Sequence, residues 1–327
     1  LSKTWSTILP ALALASLATT SPWAADGDLL ARDPVALEVE SLAAGAEDAP
    51  RERIEALLDD LGGAIELSRI TYESDGLKVR GYLASPKEGE ALPCVIFNRG
   101  GNREFGALDD LRALYLLGVV AARDYVVVAS QYRGNGGGEG REEFGGAEVN
   151  DILNLIPLLE KLPRADASRI GMFGWSRGGM MTYLALARTD RMRAAIVGAG
   201  VADSFETVEA RPEMEKSVYA ELVPDWKEWR EQALVERSAI RWPEKLAANT
   251  PILILHGTGD WRVSPTQSLR MAEALFELRR PYRLMMFEGG DHGLSEFRDE
   301  VNEAVGAWLD RYVRDGERWP SLEPHGR

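Results

Sequence analysis

Ser176 sits in Gly174-Trp175-Ser176-Arg177-Gly178, between the apolar run Arg169-Ile-Gly-Met-Phe173 and a helix-prone stretch from Gly178 to Arg188. Strand, sharp turn and helix in that order is the context of a nucleophile elbow. A serine hydroxyl attacks a carbonyl only when a base removes its proton and N–H groups receive the oxyanion. Glycines at 174 and 178 allow backbone to pass close to such a turn. The blander reading of the same residues is a glycine-rich strand-to-helix loop. The N–H of Arg177, directly after the serine, is the first expected oxyanion donor.

The chemistry then needs an acid and a histidine, in the order serine, acid, histidine. The chain has three histidines: His256, His292 and His325. His325 lies in the tail Glu323-Pro-His-Gly-Arg327, where order is not expected. His256 closes the apolar run Pro251-Ile-Leu-Ile-Leu255 and precedes the best acid, the wrong order for a base. It is expected to be a structural histidine that hydrogen-bonds near the site. His292 follows the strand-like Tyr282-Arg-Leu-Met-Met-Phe287 on the loop Glu288-Gly-Gly-Asp-His-Gly293, where an imidazole can swing over a sheet edge. A solvated loop histidine is the alternative.

The acid is Asp260, in His256-Gly-Thr-Gly-Asp-Trp-Arg-Val263, again beyond a buried-strand pattern. Asp291 is a rival, but side chains adjacent on a loop usually diverge. Without a catalytic role, Asp260 is a turn aspartate following Gly259. The expected roles are attack by Ser176, proton transfer by His292 and orientation of the imidazole by Asp260.

The elements that must carry these loops are legible in outline. Arg51 to Leu61 reads as a helix, with Ile54, Leu57, Leu58 and Leu61 at helical spacing and Gly62-Gly63 behind it. Ile65–Glu73 and Leu77–Ala84 read as strands joined at Ser74-Asp75-Gly76. Pro93–Phe97, Tyr125–Ser130 and Ala194–Val197 read as further strands. Leu108–Ala122 and Glu148–Lys161 read as helices, the second despite Pro157. The alternation implies an α/β fold, with a mainly parallel central sheet and helices on both faces. The three loops then share the carboxyl edge, where ligands bind in such sheets.

Residues 26–64 are expected to be a loose lead-in followed by the first helix, residues 65–315 the main domain, and 316–327 a tail. Residues 200–245 interrupt the rhythm with Phe205, Tyr219, Trp226, Trp229 and Trp242. They form either a helical cap insertion that shapes the pocket or an insertion whose aromatics only pack on the domain. The glycine-rich Arg133–Gly140 stretch lacks the lysine pair of a phosphate loop, and such loops often skirt active sites.

The formal charge of −14 argues against nucleic acid and anionic membrane surfaces as partners. Residues 1–25 resemble a signal peptide, with Lys3, an apolar core from Ile8 to Ala18 and, in Ser21-Pro-Trp-Ala-Ala25, small residues for cleavage after Ala24 or Ala25. The expectation is a periplasmic or secreted protein. A frayed apolar helix is the alternative. The single cysteine, Cys94, lies inside a strand and is expected to be a buried small hydrophobe. The histidines show no metal-ligand spacing, and no cofactor is expected.

Several stretches taken together resemble the catalytic domain of the prolyl oligopeptidase family, in the α/β-hydrolase superfamily. They are Gln131-Tyr-Arg-Gly134 with its glycine-rich continuation, Gly171-Met-Phe-Gly-Trp-Ser-Arg-Gly-Gly179, Pro251-Ile-Leu-Ile-Leu-His-Gly-Thr-Gly-Asp260 and Gly289-Gly-Asp-His292. The resemblance runs over about residues 66–314. It implies that Ser176, Asp260 and His292 are the triad and that the Gly101 N–H is the second oxyanion donor. Where the family often has His-Gly-Gly-Pro or a tyrosine variant, this chain reads Asn98-Arg-Gly-Gly-Asn102. Arg99, in the His/Tyr position, is expected to supply charge near a substrate carboxylate, or else to pair with an acid such as Glu104. Fewer than seventy residues precede the first strands, so the family's β-propeller is not expected here.

The resulting expectation is a serine hydrolase that cleaves peptide or ester bonds through an acyl-enzyme. A carboxylesterase of the same fold is the alternative. A non-catalytic binding protein on this fold is the reading from another class.

Overall fold

The computed structural model describes residues 24–44 and 50–326. All but the last two residues of the expected leader, 1–25, lie outside them. Nine strands form one sheet in the order β1-β2-β3-β5-β4-β6-β7-β8-β9. They are β1 Leu29–Pro34, β2 Ile65–Ser74, β3 Leu77–Pro86, β4 Leu92–Asn98, β5 Val126–Ser130, β6 Ala165–Trp175, β7 Met192–Gly198, β8 Ile252–Gly257 and β9 Tyr282–Phe287. β1 to β3 pair antiparallel, and β3 meets β5 antiparallel. From β5 to β9 every pairing is parallel.

The central strands are buried on both sides, and their residues alternate between two cores. In β8, Ile252 and Ile254 join one core, while Leu253 and Leu255 join the other. In β4, Cys94 and Ile96 point one way, Val95 and Phe97 the other. Cys94 is fully buried, and burial pushes its thiol pKa up to about 12. One core packs under helices Leu155–Lys161, Arg177–Leu186 and Pro265–Glu277. The other packs under the 110–121 helix and helix Arg298–Leu309.

The β2–β3 hairpin turns at Asp75 and Gly76, both with positive φ (52° and 78°). An Asp-Gly pair suits that two-residue turn. Three other expectations are modified. Residues 26–50 are not simply a loose lead-in: β1 pairs along β2, and Val39–Ala43 forms a short helix. β1 is an edge strand with almost every side chain exposed, so backbone hydrogen bonds hold it and no apolar alternation marks it. The helix expected over 148–161 is two helices, Val149–Leu153 and Leu155–Lys161, meeting at Asn154. Pro157 has no N–H, and its ring crowds the carbonyl four residues back. The 110–121 helix is capped by Asp109, whose carboxylate accepts the Arg112 N–H. It also contains a wider π turn over Leu114–Gly118.

The chain between β7 and β8 is mainly helical, with helices Ser204–Ala210 and Trp226–Glu236 and shorter turns. Tyr219, Trp226 and Trp242 pack into the core, whereas Trp229 stays exposed. Among the described residues, no helix is long and apolar enough to cross a membrane.

Candidate active site

The site is built at the carboxyl edge, beside the point where β5 and β6 leave β4 in opposite directions. β6 ends at Trp175, and Ser176 turns the chain straight into helix Arg177–Leu186. Ser176 has φ 59° and ψ −122°. A non-glycine residue held there costs on the order of 1–3 kcal/mol, so its surroundings must impose it. The Ser176 N–H donates to Gly198 O (2.8 Å), and Ser176 O accepts from Gly179 N–H (2.9 Å). The flanking glycines are required by contact: a Cβ on Gly174 would stand 2.0 Å from Gly178 O, and one on Gly178 1.9 Å from Asn98 O.

β8 delivers Asp260 and β9 delivers His292. His292 Nδ1 lies 2.7 Å from Asp260 Oδ2. The other carboxylate oxygen, Oδ1, accepts the N–H groups of Arg262 (2.8 Å) and Val263 (3.1 Å). Trp175 Nε1 donates to His292 O (2.8 Å), which ties the histidine loop to the strand that ends at Ser176. Ser176 and His292 line the same two cavities, and the serine hydroxyl has no hydrogen-bond partner among the described residues. Asp291 turns back on its own loop, accepting from Gly293 and Ser295 N–H, away from His292.

His256 is fully buried beneath Asp260. Its Nε2 faces Asp260 Oδ2 (3.1 Å) and Val263 O (3.0 Å), and Nδ1 faces Ser268 Oγ (2.6 Å). Two acceptors at Nε2 require that nitrogen to carry the proton. This is the structural role expected for it. Burial alone would raise the Asp260 pKa. The hydrogen bonds from His256 and His292 and the Val263 N–H outweigh it and hold the carboxyl well below the usual carboxylate range.

The loop after β4 passes Ser176 through Gly100 and Gly101. Gly101 has φ 71°, and a Cβ there would stand 1.9 Å from Phe105 O. Only glycine fits. Beneath this loop lies a buried ionic cluster that the sequence reading missed. The Arg177 guanidinium reaches Glu142 Oε2 (2.5 Å), Glu148 Oε1 (2.7 Å) and Gly101 O (3.0 Å). The Tyr132 and Phe144 rings lie under its charge. Burial by itself would raise the Glu148 pKa, but the Arg177 charge and three backbone N–H groups hold it low. So one residue, Arg177, offers its N–H beside Ser176 and anchors the facing loop through its side chain. Glycines, an arginine and two glutamates with no fixed spacing give no sequence signal of this.

Arg99 is placed differently from the expectation of a substrate-facing charge. It is 1% exposed, and its guanidinium donates to Gln131 O, Gly100 O and Arg103 O. Burial and the nearby Arg177 charge lower its pKa to about 10. It braces the loop from inside and makes no ion pair with Glu104. The loop at 133–140 also supports from behind, through Gly136 N–H to Glu104.

The smaller cavity, about 210 Å³, runs from Ser176 to Val201, Thr207, Arg211 and Met214 of the insertion, with Trp261 at its edge. The first helices of the insertion thus line this cavity, while Tyr219, Trp226 and Trp242 pack into the core and Trp229 does not. The larger cavity, about 570 Å³, opens on the other side of Ser176.

Residues 114–316, more than half the chain, match the sequence profile of the prolyl oligopeptidase family. The chain is 31% identical over 258 residues to an uncharacterized peptidase, YtmA, of Bacillus subtilis, covering 77% of this chain and 94% of that one. It is 28% identical to a second B. subtilis peptidase, YuxL, covering 73% of this chain but only 38% of the relative. Among solved structures, a Mycobacterium tuberculosis puromycin-hydrolyzing peptidase aligns with a TM-score of 0.62 at 28% identity, over 75% of this chain and 39% of that one. An acylaminoacyl peptidase bound to a peptidyl chloromethyl ketone aligns with a TM-score of 0.67 at 25% identity, over 79% and 43%. The chain thus spans most of one relative and about two fifths of the others. It is an enzyme, a serine hydrolase with the α/β-hydrolase fold, and it belongs to the prolyl oligopeptidase family.

Proposed function

We propose that Ser176, His292 and Asp260 form the catalytic triad and that the enzyme cleaves short peptide or ester substrates through an acyl-enzyme. The observation that carries this reading is the 2.7 Å contact between His292 Nδ1 and Asp260 Oδ2, with Ser176 facing the same cavities from a strained turn. Asp260 holds the proton of the imidazole on Nδ1, which leaves Nε2 free as a base. Ser176 Oγ attacks the acyl carbon while His292 Nε2 takes its proton. The carbonyl oxygen becomes an oxyanion and draws on the N–H groups of Arg177 and Gly101. Collapse breaks the scissile bond, and His292 gives its proton to the departing nitrogen or oxygen. Water then repeats the sequence on the acyl-enzyme and releases the acid and the free serine. The relatives named as peptidases support an amide-cleaving role, and the same steps cleave esters.

Ser176→Ala tests the assignment. Turnover of p-nitrophenyl esters and aminoacyl anilides falls by several orders of magnitude, with a residue left from binding and the oxyanion donors. Near-normal turnover in the folded variant would remove Ser176 from the role.

A further inference from the structure

We propose that the larger cavity beside Ser176 is a channel for an extended hydrocarbon chain of the substrate. The inference rests on the serine-hydrolase reading above and names a substrate class for that site. The cavity of about 570 Å³ has Ser176 and His292 among its lining residues. Its walls are two helices that leave the same sheet edge. One contributes Arg112, Tyr115, Leu116, Val119, Val120 and Arg123; the other contributes Arg298, Val301, Asn302, Val305, Gly306 and Leu309. On each helix these positions recur every three or four residues over eleven, so each lines the cavity with one stripe about 16 Å long. The π turn at Leu114–Gly118 falls in the middle of the first stripe. Such turns are frequent at functional sites.

The sheet supplies an aromatic floor. Phe97 and Phe173 meet edge to face at 5.3 Å, and Phe173 meets Trp175 at 6.2 Å. Charge is confined to the ends. Arg112 and Arg298 stand in the first turns of the two helices, near the serine. Arg123, at the far end, is already paired with Asp310 (2.6 Å). Between the ends the stripes offer mostly apolar side chains, with the Asn302 amide and the Tyr115 hydroxyl as the polar groups among them, so a flexible, unbranched, uncharged chain matches both the length and the lining. A peptide backbone would leave its amides unpaired there. The chain can belong to the acyl group or to the leaving group.

Two substrate series separate those sources. p-Nitrophenyl esters from acetate to octanoate vary the acyl chain, and acetate esters of ethanol to octanol vary the leaving group. In one series kcat/KM rises by about fourfold per added methylene until the channel is filled. Val119→Trp, which plugs the middle of the channel, lowers the octyl-to-ethyl (or octanoate-to-acetate) ratio at least tenfold. Decane-1-sulfonate inhibits wild-type acetate-ester hydrolysis competitively. Flat profiles in both series, or an unchanged ratio in folded Val119→Trp, would overturn the channel. If acetate esters are not hydrolysed and Ser176 does not react with a fluorophosphonate, it is the serine reading that fails.

Discussion

His256 and His292 meet at one oxygen of Asp260, with Nε2 of the first at 3.1 Å and Nδ1 of the second at 2.7 Å. One histidine is sealed in the core and the other opens on the cavities. The buried one fixes the carboxylate that orients the other, and Ser268 and Val263 fix the buried one in turn.

Replacing His256 by phenylalanine keeps a ring but removes both nitrogens. A buried carboxylate and the Val263 carbonyl each lose a donor, at a cost of about 1.5–3 kcal/mol in stability. Because the carboxylate is free to shift, kcat falls roughly ten- to hundredfold with little change in KM. His256→Gln, which can still donate, recovers part of the loss. Thermal unfolding and steady-state kinetics on the two variants check this. An unchanged kcat in His256→Phe would mean that His256 does not position Asp260.

Asp260 carries a pH signature. Its folded pKa lies below the unfolded value of about 3.9. The ionised form is thus the one that the fold binds, and its contribution is fully present above the unfolded value. It is lost as pH falls through the folded one. The melting-temperature gap between wild type and Asp260→Asn therefore narrows as pH drops from 7 toward 2. At neutral pH the same variant loses roughly four orders of magnitude in kcat. A gap that widened in acid would contradict the assigned direction.

Glu148 gives the third prediction. It accepts from Gly145 (2.5 Å), Glu143 (3.0 Å) and Gly146 (3.2 Å) N–H and pairs with Arg177 at 2.7 Å, all out of solvent. Glu148→Ala leaves part of a buried charge uncompensated and costs about 3–5 kcal/mol. Arg177 also holds Gly101 O, so kcat falls in whatever fraction stays folded. Chemical denaturation measures the first effect and active-site titration followed by kinetics the second. A loss under 1 kcal/mol would show that the cluster contributes little.

What the sequence makes legible follows from local rules. Ser176, Asp260 and His292, the proposed triad, stand out in the sequence because each sits just past an apolar strand on a glycine-bearing loop. The β2–β3 turn is legible because Asp75-Gly76 is a turn pair. β1 is not, since an exposed edge strand needs no apolar pattern. Arg99 misleads: a charged side chain in a site loop suggests a ligand, but three backbone carbonyls take its hydrogen bonds. Glu142 and Glu148 are invisible because their partner, Arg177, is distant in the chain and meets them only through the fold. The channel is hidden for the same reason. Val119 and Val305 read as ordinary helix faces until the two helices stand opposite each other.

The most direct measurement is mass spectrometry of the protein after reaction with a fluorophosphonate. A single phosphonyl adduct is expected on Ser176, formed fast in wild type, far more slowly in His292→Ala and absent in Ser176→Ala. Folded wild-type protein that stays unlabelled, or an adduct on another residue, would contradict the triad.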